Sequence, residues 1–102
     1  MKQALVLPSG ITIHYWTYHP DATQTMVLVH GFTGSHEGFQ YLIPLLPNIR
    51  FIVPDLPGFG QSDLPSRDDW SIDALARLTH DFVEALALPE PPHILGHSMG
   101  GL

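Results

Sequence analysis

Two stretches of the chain, Met26-Val27-Leu28-Val29 and Phe51-Ile52-Val53, are continuously apolar, and His93-Ile94-Leu95 is a shorter example. A strand with one face in water alternates polar and apolar residues, whereas a strand without alternation is covered by helices on both faces. Three such strands, separated by stretches long enough to hold helices, imply right-handed crossovers and a mainly parallel sheet. In sheets of this kind, binding groups gather at the carboxyl ends of the strands.

The residues ahead of these runs read differently. Ala4 to Leu7 and Ile11 to Tyr18 read as two strands joined by the turn Pro8-Ser9-Gly10. Along the second, Ile11, Ile13, Tyr15 and Thr17 alternate with Thr12, His14, Trp16 and Tyr18, which puts aromatics on both faces. This is the pattern of a half-buried antiparallel hairpin at a sheet edge. A helix is expected from about His36 to Leu46 with Ser35 as N-cap, although Pro44 points to a kink or an irregular end. A second helix is capped by Ser71 and carries Asp73 in its first turn, where negative charge suits the helix dipole. Its stripe of Ile72, Leu75, Leu78, Thr79, Phe82, Val83 and Leu86 reads as packing against the sheet, with Arg77, Asp81 and Glu84 mostly off it. The order is hairpin, strand, helix, strand, helix, strand, an α/β arrangement within one small domain.

Charge and composition exclude several function classes. The formal net charge is −6, and Lys2, Arg50, Arg67 and Arg77 are the only basic residues besides histidine. Binding to nucleic acid or to an anionic membrane surface needs clustered cations, so neither is expected. Without cysteine there is no disulfide, thiolate zinc site, iron–sulfur cluster or thiol nucleophile. The N-terminus has a run of four apolar residues, Ala4 to Leu7, before Pro8, short of a signal sequence and far short of the roughly 18 that a membrane span requires. A cytoplasmic location is the default expectation. No cofactor or metal site is expected, since His14, His19, His36, His80 and His93 are scattered along the chain with neither ligand spacing nor a shared face.

Three unusual loops begin where the parallel strands end. They are Val29-His30-Gly31-Phe32-Thr33-Gly34-Ser35, Asp55-Leu56-Pro57-Gly58-Phe59-Gly60-Gln61-Ser62-Asp63, and Gly96-His97-Ser98-Met99-Gly100-Gly101. The third contains G-x-S-x-G directly after a buried strand, the setting in which a tight strand–turn–helix elbow lifts a serine hydroxyl out of the sheet. Gly96 and Gly100 leave room for the close backbone approach that such a turn demands. The same turn aims the Met99 N–H at the oxygen of a tetrahedral intermediate.

Taken together, these loops resemble the α/β-hydrolase superfamily, in its serine-nucleophile branch, over the whole chain. The resemblance implies that Ser98 is the nucleophile. It implies that Phe32, following the His30-Gly31 pair, supplies a second oxyanion N–H beside that of Met99. It gives His30 a structural role, and Gly96, His97 and Gly100 roles in supporting the elbow or lining the pocket. Asp55 is read as a loop-fixing residue, because the family's catalytic acid follows the nucleophile in chain order. Asp63 is set aside as triad acid for the same reason, and Pro57, Gly58 and Gly60 shape the loop between them. Phe32, Phe59 and Trp70 suit an apolar pocket wall, and packing explains them equally well.

On this resemblance, residues 1–102 form the N-terminal portion of a single α/β-hydrolase domain, with an incomplete sheet and with the acid, base and lid in a missing C-terminal part. A serine hydroxyl needs an adjacent base, so the chain as given is expected to be close to inert. An elbow stores strain that surrounding structure must hold, and the last strand would end as an uncovered apolar edge prone to aggregation. The parent is expected to be a serine hydrolase working by acyl transfer on a small molecule with an ester-like carbonyl. A serine at the elbow argues against the branches that use aspartate there, the haloalkane dehalogenases and epoxide hydrolases. Two alternatives stand beside this reading: a non-catalytic receptor or scaffold of the same fold, and a lyase branch whose loop resembles His30 to Ser35. Substrate identity and oligomeric state are not legible.

Overall fold

The computed structural model of the chain describes residues 2–31, 34–63 and 71–97. Five strands, β1 (Lys2–Val6), β2 (Thr12–Tyr18), β3 (Gln24–Val29), β4 (Ile49–Pro54) and β5 (His93–Gly96), form one sheet. Their order across the sheet is β1-β2-β4-β3-β5. β1 pairs with β2 and β2 with β4 in antiparallel register, whereas β3 runs parallel to both β4 and β5. The expected edge hairpin and parallel core are therefore both present. The hairpin turn closes through Leu7 N–H to Ile11 carbonyl and Gly10 N–H to Leu7 carbonyl, each 2.8 Å. Gly10 sits there at φ +91°, a region open to glycine and strained for other residues.

The unbroken apolar runs are explained by cover on both faces of the sheet. Val27, Val29 and Ile52 pack with Ile13, Tyr15, Leu78 and Phe82 in one cluster, under the helix α1 (Ile72–Ala85). Leu28, Phe51 and Val53 point the other way and pack with Phe39 and Ile43. β2 divides its aromatics as the alternation predicted. Tyr15 meets Phe82 edge-on, with ring centroids 5.3 Å apart, and Trp16 stacks on His36.

α1 forms as expected. The Ser71 hydroxyl accepts the Ala74 N–H at 3.0 Å, and Asp73 lies in the first turn. Leu75, Leu78 and Phe82 are buried, but Ile72 is exposed and Ala74 is buried in its stead.

Residues 36–46 depart from the single helix expected. They form two short 3₁₀ turns, His36–Phe39 and Ile43–Leu45, closed by i→i+3 bonds such as Leu42 N–H to Phe39 carbonyl and Leu45 N–H to Leu42 carbonyl. Pro44 has no N–H to give to the carbonyl four residues back, and its ring crowds that carbonyl. Gly38 adds a residue with low helix propensity in the first turn. The Ser35 cap itself is present, its hydroxyl accepting the Glu37 N–H.

β5 meets one expectation, an uncovered apolar edge, and departs from the other, cover on both faces. It is parallel as expected, but it lies at the sheet edge with Ile94 and Leu95 exposed among the described residues.

Candidate active site

β3, β4 and β5 are parallel neighbours, so their carboxyl ends open on the same edge of the sheet. His30 follows β3, Asp55 follows β4 and His97 follows β5. Val29 and Gly96 are register partners, and the His97 N–H donates to the Val29 carbonyl at 3.0 Å. The start of the third loop is thereby held beside the start of the first.

His30 is buried, with both ring nitrogens engaged. Nδ1 donates to the Gly31 carbonyl at 2.8 Å and Nε2 accepts the Leu56 N–H at 2.9 Å, an arrangement that requires the neutral Nδ1–H tautomer. Burial pushes its pKa below the ordinary histidine value, against smaller upward contributions from the bond to Gly31 and the charge of Asp55. A ring so occupied has no free nitrogen with which to accept a substrate proton. Phe59 packs edge-on against it at 5.3 Å and, partly buried, against the core cluster under α1.

Asp55 is fully buried and joins three segments. Its Oδ1 accepts the backbone N–H of His36 at 2.7 Å and His36 Nδ1–H at 2.8 Å, and its Oδ2 accepts the Gln61 N–H at 2.9 Å. Its own N–H donates to the His14 carbonyl, and its carbonyl accepts the Ser62 hydroxyl, which in turn accepts the His14 N–H. A buried carboxylate is tolerated only when its oxygens are satisfied in this way. Gly60 is dictated by it: a Cβ there would stand 2.2 Å from Asp55 Oδ2.

Asp63 is bonded to Thr12 at both side chain and backbone. Its Oδ2 accepts the Thr12 N–H and its backbone N–H donates to the Thr12 carbonyl, tying the loop to the start of β2.

A cleft of about 520 Å³ opens between the first and third loops, lined by His30, Gly31, Phe39, Leu42, Leu95 and His97 among others. His30, Gly31, Asp55, Gly96 and His97 are thus gathered at one edge of the sheet. Phe32, Ser98, Met99, Gly100 and Trp70 lie outside the described residues. Among the described residues, no group of three or more His, Asp or Glu side chains is placed to hold a metal ion, and no helix is long and apolar enough to cross a membrane.

The structure adds His36, one of the scattered histidines, to the site. The His36 ring stacks on Trp16, with centroids 3.3 Å apart and planes 11° apart, while bonding to Asp55. Local spacing marks only where this segment begins, not what His36 meets. His30 and His36 bracket the glycine-containing loop 31–35, and the Ser35 cap fixes where the following residue begins its turn.

A family model described as the alpha/beta hydrolase fold matches residues 24–102. Lipase 3 of Moraxella sp. (strain TA144) is 34% identical over 99 residues, which is 97% of this chain and 31% of that protein. Monoacylglycerol lipase ABHD6 of Homo sapiens is 34% identical over 84 residues, covering 80% of this chain and 25% of its own. The crystal structure of lip1 from Acinetobacter baumannii AYE matches with a TM-score of 0.89 at 35% identity, covering 99% of this chain and 34% of that one. The chain therefore spans about a third or less of the length of these relatives.

Proposed function

The chain belongs to the alpha/beta hydrolase family, its sheet corresponding to the N-terminal part of that fold, and on this premise we propose that the whole protein is a serine hydrolase acting on an ester of a small molecule. The observation that carries this reading is the pairing of Val29 with Gly96 and of His97 N–H with the Val29 carbonyl. It brings the start of G-x-S-x-G alongside the loop that begins at His30-Gly31, as acyl transfer requires of a nucleophile and its oxyanion donors. The lipase names of relatives at about a third identity support an ester as substrate.

In this reading the Ser98 hydroxyl attacks the ester carbonyl and its proton passes to a histidine base. The N–H groups of Phe32 and Met99 hold the resulting oxyanion. The tetrahedral intermediate collapses with loss of the alcohol, which takes the proton from the histidine, and water then releases the acid from Ser98 by the same steps in reverse order. Asp55 and His30 hold the loops and exchange no proton with substrate. The base and its carboxylate partner belong to a further part of the same domain, consistent with relatives some three times as long. Residues 1–102 then form the N-terminal portion of that domain.

The test uses the product of the complete gene. It should hydrolyse p-nitrophenyl butyrate and be labelled at Ser98 by a fluorophosphonate. Ser98→Ala should abolish labelling and lower kcat by about a thousandfold or more. A folded wild-type protein that neither turns over the ester nor takes the label would instead favour a receptor or scaffold of this fold.

A further inference from the structure

Loop 31–35 is anchored at both ends on consecutive residues of the segment that follows β4. At its start, His30 Nε2 accepts the N–H of Leu56. At its end, His36 gives both its backbone N–H and its Nδ1–H to one carboxylate oxygen of Asp55. Between these anchors the loop closes on itself through Gly34 N–H to Gly31 carbonyl at 3.0 Å. We propose that His36 is a positioning residue that, clamped between Trp16 and Asp55, sets the geometry of the 31–35 loop for oxyanion stabilisation. The inference rests on the hydrolase reading above, since it concerns the loop that carries Phe32.

Three observations carry it. The Asp55 carboxylate is wholly buried, and it lies between the 30–36 segment and the Gly60-Gln61 turn, so it cannot follow a shift of His36 without giving up Gln61. The His36 ring cannot swing aside either, because Trp16 covers one face at stacking distance. The side chain is also mostly buried, at 12% exposure, which keeps water from competing for the bond. Oxyanion donors act through placement within a fraction of an ångström, so a loop fixed at His30 alone would keep its fold while losing alignment at Phe32.

The experiment compares wild type, His36→Ala, His36→Asn and His36→Leu in the product of the complete gene, using p-nitrophenyl butyrate and fluorophosphonate labelling. The asparagine amide reproduces the Nδ1–H donor, whereas leucine keeps bulk without a donor. The inference expects His36→Leu and His36→Ala to lower kcat about tenfold or more with KM changed less than about threefold, and His36→Asn to recover a large part of that loss. Labelling rates should follow kcat. A purely structural role would instead lower the melting temperature of all three variants while leaving the kcat of the folded fraction near wild type, and that result overturns the inference. So does a His36→Asn protein no better than His36→Leu. If His36→Ala fails to fold, the asparagine and leucine pair still decides. An inactive, unlabelled wild type would reject the hydrolase reading and this inference with it, whereas an active wild type with an indifferent His36 rejects the inference alone.

Discussion

At Gly60 the backbone lies so close to the Asp55 carboxylate that a Cβ would stand 2.2 Å from Oδ2, 2.3 Å from Cγ and 2.7 Å from Oδ1. Gly60 also has φ +52°, so two costs coincide there: a mild one from left-handed backbone and a severe one from overlap. Gly10 separates them, because at φ +91° it has nothing within 4 Å of its would-be Cβ. Gly60→Ala should therefore destabilise by about 3 kcal/mol or more, as the carboxylate is pushed off Gln61 and His36. Gly10→Ala should cost only the backbone strain, of the order of 1 kcal/mol. Urea unfolding of both variants against wild type gives the comparison. Equal losses would mean that the Asp55 contact contributes nothing beyond the torsion angle. That contact is also why the D-x-P-G-x-G pattern has a glycine at its sixth position, a requirement set by tertiary approach within the loop and not by turn type alone.

Among the elements, α1 and β2 show how far pattern alone carries. The Leu75, Leu78 and Phe82 stripe was legible because helical spacing and the Ser71 cap depend only on nearby residues. β3 and β4 were legible because cover on both faces removes polar positions from the sequence itself. The 36–46 segment was not, since its apolar residues fit a helical face while Gly38 and Pro44 break the hydrogen-bond ladder beneath them. His36 escaped for a different reason: its partners are 20 residues back on β2 and 19 ahead after β4, and no local pattern encodes that meeting. The same two elements supply a test of packing. Phe82 is buried from α1 and meets Tyr15 of β2 at a 70° interplanar angle. Phe82→Ala should cost about 3–5 kcal/mol by opening a cavity between helix and sheet. Phe82→Leu should recover much of that, lacking mainly the edge-to-face contact, worth about 0.5–1.5 kcal/mol. Chemical denaturation checks the order, and an alanine variant within about 1 kcal/mol of wild type would show that α1 is not seated on β2 as described.

For the molecule as a whole, the asymmetry between the two sheet edges matters most. β1 closes one edge and begins with a charged residue, Lys2, whose ammonium bonds the Gln61 side chain. β5 forms the other edge, and its sequence His93-Ile94-Leu95-Gly96 carries no Lys, Arg, Asp or Glu to discourage pairing. Ile94 is 59% exposed and Leu95 41% exposed, so apolar side chains accompany an edge that no strand covers among the described residues. An edge of this kind is a template for strand addition from another copy. On the function proposed above, further strands of the same sheet would cover this edge and bring the base and acid with them, in line with relatives about three times as long. Residues 1–102 expressed alone should therefore self-associate, with apparent mass by light scattering rising with concentration. Ile94→Lys places a charge in the middle of the strand and should shift that material toward monomer. In the product of the complete gene the same substitution should instead destabilise the fold, because it would bury a cation between strands and helices without a partner. A monomeric 102-residue chain, indifferent to Ile94→Lys, would mean that β5 is protected by its own twist or by neighbouring residues, and the case for an additional strand there would have to rest on the relatives alone.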